Sequence, residues 1–154
     1  MRCGVVGFGG AAGSGKTTAA NMLVEIAKPS SHAHIEFSGP ILEIGGLLIS
    51  KGVTNQDDLI EELCHGLQNM DQGLHLREVI APALPDEYAA ALFGGDLGIL
   101  SAETKSQHRP LLEWIGRTAI ELTHPAIWGN IVENKVLTLN RSGSDLITVG
   151  GSER

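Results

Sequence analysis

Aromatic side chains are scarce, at 4% of the 154 residues, so recognition of a base cannot rest on a broad aromatic platform. Basic residues are in deficit too, with eleven Lys plus Arg against eighteen Asp plus Glu and a formal net charge of −7. A duplex-binding protein needs a basic face to displace phosphate counterions, and no basic run is present. That argues against a nucleic-acid partner, although a few Arg and Lys can still converge on one small phosphate. Only two cysteines occur, Cys3 and Cys64, with no CxxC pair, which reads as buried free thiols in a reducing compartment. The six histidines (His32, His34, His65, His75, His108 and His124) show no ligand spacing and read as surface or core residues. No run approaches the ~18 apolar residues of a spanning helix. The first residues lack the basic region and cleavage signature of a secretory signal. A cytoplasmic protein with no membrane partner is expected.

Hydrophobic residues at 42% and charged residues at 19% fit one globular domain with a real core. The run 3–9 (CGVVGFG) is apolar and bounded by glycine, which fits a strand buried on both faces. A helical pattern starts at Lys16, with Ala20, Leu23 and Ala27 on one row, and Pro29 ends it. His34 to Phe37 reads as a second strand. Ser38 and Pro40 then open a helix through Leu48, weakened by Gly45 and Gly46. From Thr54 a clearer helix places Leu59, Ile60, Leu63, Cys64, Leu67 and Met70 on one face. Residues 73–106 are the least legible, although Pro85-Asp86-Glu87 can open a short helix. Arg109-Pro110 opens the next, with Leu111, Leu112, Ile115, Ala119 and Ile120 inward. Pro125 opens the last, with Ile127, Trp128, Ile131, Val132 and Val136 on its buried side. Residues 140–144 (NRSGS) are a turn cluster, and 145–150 (DLITVG) read as a third strand. The order implies an α/β fold, a parallel sheet flanked by helices with a helical block as an excursion from it.

Gly10-Ala-Ala-Gly-Ser-Gly15-Lys16-Thr17 matches G-x-x-x-x-G-K-[ST], the P-loop pattern. Glycines let the backbone curl so that consecutive N–H groups face phosphate oxygens, and the following helix adds the positive end of its dipole. ATP is therefore expected on Gly10, Ala11, Gly13, Ser14, Gly15, Lys16, Thr17 and Thr18. Lys16 would bridge the β- and γ-phosphates and Thr17 would ligate Mg²⁺. With this composition about 0.01 chance matches are expected. The plainer reading is a Gly-rich turn that merely joins strand to helix. A GTPase base-reading [NT]KxD element is missing, and the third strand ends Gly150-Gly-Ser-Glu-Arg154 rather than in the acidic pattern of large motor ATPases. What remains is a small kinase.

Phe37-Ser38-Gly39-Pro40-Ile41-Leu42 resembles the [small]-Gly-Pro-[Ile/Leu] element of the deoxynucleoside monophosphate kinases encoded by DNA phages. Arg109-Pro-Leu-Leu-Glu113-Trp-Ile-Gly116-Arg117 is similar to that family's R-x-L-[L/M]-Q-x-[L/I]-G-T segment, and Pro125-Ala-Ile-Trp128-Gly-Asn130 to its Trp-bearing helix. The resemblance covers about half of the chain and leaves 51–106 unaligned. It implies a P-loop NTPase fold with a core at 1–36 and 107–154 and a helical acceptor-binding insertion over about 38–106. It implies transfer of the γ-phosphoryl of ATP to a deoxynucleoside monophosphate in the host cytoplasm. Ser38, Gly39, Pro40 and Ile41 would shape the acceptor pocket together with Arg109, Glu113 and Arg117. Lys16, Arg109 and Arg154 would carry catalysis, with Arg109 on the acceptor phosphate. Glu113 stands where the family has Gln, and Arg117 where it often has Thr. Ser152 stands where some members have Asp, which leaves Glu153 as the nearest carboxylate to support a metal.

Plainer readings stand beside these: Arg109 as a solvated helix-start residue, Arg117 as a surface charge, and Trp128 as core. Other enzymes on the same scaffold, of the dephospho-coenzyme A or gluconate kinase type, are the alternative, as is a non-catalytic nucleotide-binding regulator. The resemblance also implies a five-stranded sheet ordered 2-3-1-4-5, whereas three strands are legible. A sheet of order 2-3-1 leaves the first strand as an edge, so a longer polypeptide or a homodimer is expected to cover it. The other candidate neighbour is residues 73–81 (GLHLREVIA).

Overall fold

The computed structural model describes residues 3–11 and 13–152, with residues 151 and 152 described by backbone alone. The expectations placed on Glu153 and Arg154 lie outside the described residues. Along the chain come β1 (Gly4–Gly9), α1 (Lys16–Ala27), β2 (His32–Glu36), α2 (Gly39–Lys51) and α3 (Gln56–Met70). They are followed by α4 (Asp86–Phe93), α5 (Arg109–Leu122), α6 (Ile127–Arg141) and β3 (Leu146–Ser152). The chain divides into a sheet unit, Met1–Gly39 with Trp128–Arg154, and a helical unit, Pro40–Ile127. The helical unit thus takes in α5 as well as the block before it.

In the sheet unit β3 is the middle strand, parallel to β1 on one side and to β2 on the other, a spatial order of 2-3-1. Strand alternation sends Ile147 and Val149 to one face, where they meet Ile35 of β2 and Val132, Val136 and Leu139 of α6. The opposite face carries Thr148, which is fully buried. Its hydroxyl lies 3.0 Å from His32 Nε2 and 2.7 Å from His34 Nδ1, so two of the histidines satisfy a buried hydroxyl. The helix α1 packs against β1 and β3 and buries only Ala20.

The apolar run of β1 suggested burial on both faces, yet Gly4, Val5, Gly7 and Gly9 are exposed, Val5 to 52%. The reason is position: β1 pairs with β3 alone among the described residues, and α1 covers little of it. Residues 74–81 form no strand and belong to the helical unit, so they do not supply the missing neighbour.

The helical unit is built on rows spaced four apart. Leu59, Leu63 and Leu67 of α3 are wholly inaccessible, as are Leu111, Ile115 and Ala119 of α5. Burying each Leu or Ile contributes about 1.5–3 kcal/mol. The start of α3 is fixed by Asn55, whose side-chain oxygen accepts from the Asp58 N–H at 2.9 Å, one residue beyond the expected Thr54. Gly45 lies inside α2, where its cost in helix propensity has a packing cause. A Cβ there would come within 2.9 Å of Leu112 Cδ2 and 3.3 Å of Leu100 Cδ2. Among the described residues no helix is long and apolar enough to cross a membrane.

Candidate functional site

The glycine-rich loop joins β1 to α1, and its backbone explains its glycines. Gly10, Gly13 and Gly15 have φ of 141°, 76° and 85°, conformations that L side chains rarely adopt. The Ser14 N–H donates to the Ala11 carbonyl at 3.1 Å, closing a turn just ahead of α1. Gly15 is the N-cap residue, and no side chain caps the helix. The first N–H groups of any helix lack intrahelical acceptors, so the start of α1 offers donors to an anion. Lys16 Nζ folds back over the loop, donating to the Ala11 carbonyl at 2.9 Å and to the Gly10 carbonyl. Thr17 and Thr18 are exposed in the first turn. The Thr17 hydroxyl is a hard oxygen donor of the kind Mg²⁺ takes, and with phosphate oxygens it would make a mixed ligand set.

Ser38 and Gly39 belong to the sheet unit, in the turn after β2 and at the start of α2. Pro40 is buried in the first turn of α2. The Ile41 side chain runs against α5, where its Cδ1 would meet a Cβ on Gly116 at 3.6 Å. Pro40 and Ile41 thus brace the helical unit and do not line the cleft described next.

Arg109, Glu113 and Arg117 lie at i, i+4 and i+8 on α5, a single row. They line a cleft of about 490 Å³ with Pro82, Leu84, Pro85, Ser106 and Trp114. One side is charged and the other apolar. Arg109 Nε donates to Glu113 Oε1 at 2.8 Å, so the guanidinium expected on an acceptor phosphate is already engaged with a carboxylate. The far wall, residues 82–85, is held in place from two helices. Trp114 Nε1 donates to the Pro82 carbonyl at 2.7 Å and Gln56 Nε2 to the same oxygen at 3.2 Å. Residues 82–85 and Ser106 were not singled out in the sequence. Their only signal was two prolines framing an apolar pair.

Behind the row, His108 anchors the start of α5. It is almost wholly buried, and its Nδ1 lies 2.9 Å from Tyr88 Oη of α4. Burial pushes the Tyr88 phenol up to about 12, so it stays protonated and shares a hydrogen bond with Nδ1. The other ring nitrogen, Nε2, is buried and has no hydrogen-bond partner among the described residues. In the loop that leads to His108, the Glu103 carboxyl is drawn below its ordinary range by its own backbone N–H and the Ser101 hydroxyl. Burial raises the Cys64 thiol on α3, with Glu61 adding to the effect, which suits an inert thiol better than a nucleophile.

No family model, curated protein or solved structure matches the chain. Among the described residues no three His, Cys, Asp or Glu side chains converge as a metal site.

Proposed function

We propose that the protein is a P-loop kinase that transfers the γ-phosphoryl group of ATP to a nucleoside or deoxynucleoside monophosphate. The observation that carries this reading is the loop Gly10–Thr17. Three glycines at positive φ follow a parallel strand, and a lysine and a threonine open the helix after them. Gly10, Ala11, Gly13, Ser14 and Gly15 present backbone to the phosphates, Lys16 supplies mobile charge, and Thr17 and Thr18 supply hydroxyls. Mg²⁺ held at Thr17 would neutralise charge on the β- and γ-phosphates. Phosphoryl transfer asks for positioning and charge neutralisation more than covalent chemistry, and these groups fit that demand.

The acceptor is assigned to the α5 cleft of the helical unit. Its size suits a nucleotide, its apolar wall suits a base, and Arg117 supplies charge of the sign a monophosphate needs. The test is ADP production by the full chain with Mg²⁺–ATP and a panel of acceptors. Turnover that depends on a nucleoside monophosphate is expected. Turnover with gluconate or dephospho-coenzyme A instead would move the protein to another small-molecule kinase class. ATP binding with no acceptor-dependent turnover would make it a nucleotide-binding regulator.

A further inference from the structure

We infer that the α5 cleft selects guanine, with Arg109 and Glu113 together forming the complement of the Watson–Crick edge of a guanine base. The inference rests on the acceptor reading of this cleft and names which monophosphate it takes. The two side chains form one unit, Arg109 Nε donating to Glu113 Oε1 at 2.8 Å one helical turn apart. An ionised carboxylate only accepts, through two oxygens, and a guanidinium only donates, through five N–H groups. Together such a pair can present acceptors and a donor to one edge of a base, and both side chains are largely exposed to an incoming ligand.

Guanine presents the matching series: the N2 amino donor, the N1–H donor and the O6 acceptor. Adenine sets a ring acceptor beside its amino donor, and cytosine follows its amino group with two acceptors. Uracil and thymine flank their single N–H with two acceptors. Each of those edges places a lone pair against a carboxylate oxygen, and a polar group left unpaired on desolvation loses more than a matched pair gains. Among the lining residues no Asn or Gln offers the mixed donor and acceptor those bases need. Pro82, Leu84, Pro85 and Trp114 give the ring its apolar bed. Arg117, one turn further along the row, supplies charge for the phosphate. This differs from the expectation that Arg109 grips the phosphate, because that guanidinium is turned to Glu113.

The test is isothermal titration of the full chain, in the presence of Mg²⁺ and a non-hydrolysable ATP analogue, with GMP, dGMP, AMP, CMP, UMP and dTMP. The guanine nucleotides should bind about ten-fold or more tightly than the others. Glu113→Gln, which puts an amide donor where one acceptor stood, should abolish that preference at an unchanged melting temperature. Equal affinities, or preference for another base, would overturn the inference while leaving the acceptor reading intact. A guanine preference that survives Glu113→Gln overturns the role given to that carboxylate. Failure of every monophosphate to bind, with the ATP analogue still bound, brings down the acceptor reading and this inference with it.

Discussion

Trp114 Nε1 donates to the Pro82 carbonyl across 32 positions of sequence, and this bond ties the far wall of the cleft to the helix that carries Arg109, Glu113 and Arg117. Trp114→Phe keeps the ring's apolar contacts and removes the donor. Stability should fall by about 1 kcal/mol in urea unfolding, with Gln56 still holding the Pro82 oxygen. The KM for the acceptor should rise several-fold while the KM for ATP stays put. Equal movement of both constants would mean that the bond serves only the fold.

Lys16→Ala should reduce turnover by about 100-fold or more and weaken ATP binding. The lysine is held by the carbonyls of Gly10 and Ala11, where it contributes little to the fold, so thermal unfolding should barely change. Single-turnover kinetics and a direct ATP titration check both halves. Wild-type values in both would falsify the phosphate-cradle reading.

Neighbouring glycines of α2 should respond differently to alanine. Gly46 faces open space, so Gly46→Ala should stabilise by about 0.5–1 kcal/mol through helix propensity. At Gly45 the added methyl meets the ends of Leu112 and Leu100, and that gain should be cancelled or reversed by overpacking. The difference between the two variants, expected to be about 1 kcal/mol or more, is read from paired denaturation curves.

The Tyr88–His108 pair predicts an alkaline transition. Burial raises the phenol from its ordinary value near 10 to about 12, so the folded protein holds a proton that the unfolded chain releases first. This contribution to stability is complete below pH ~10 and is lost as the pH rises towards 12. Tyr88→Phe should flatten that stretch of the stability profile. It should also cost about 1–2 kcal/mol at neutral pH, because His108 Nδ1 loses its hydrogen-bond partner inside the core. Parallel profiles for the two proteins above pH 10 would contradict the assignment.

The long helices were legible because their apolar residues recur every three or four positions. Leu59, Leu63 and Leu67, like Leu111, Ile115 and Ala119, fall on rows that only a helix brings together. The short helix α4 was visible only through Pro85-Asp86-Glu87. The strands β1 and β3 were legible as apolar runs, although burial on both faces does not hold for β1; β2, expected over 34–37, runs His32–Glu36 and buries only Ile35. A Val–Gly run looks the same in sequence whether a second neighbour covers it or not, since apolarity reports composition and not pairing. The loop Gly10–Thr17 was legible because its spacing is set by the loop's own backbone. The row Arg109–Glu113–Arg117 was legible as a row, whereas the ion pair within it was not, because nothing in the spacing says that two side chains will turn towards each other. The far wall was hidden for a different reason. Pro82 is joined to Trp114 and Gln56 through its carbonyl, a group every residue possesses and no sequence pattern marks.

The strand β1 has a consequence for handling the protein. Three of its six residues are glycine, and Val5 is the exposed large side chain along it. Its other edge, unpaired among the described residues, offers hydrogen bonds to any extended backbone but almost no side chains to fix alignment, and glycine-rich strands are prone to slippage for that reason. Another strand laid against it could slide by a residue with little change in energy. Association through this edge would therefore give a mixture of staggered pairings, growing with concentration, and not one defined dimer.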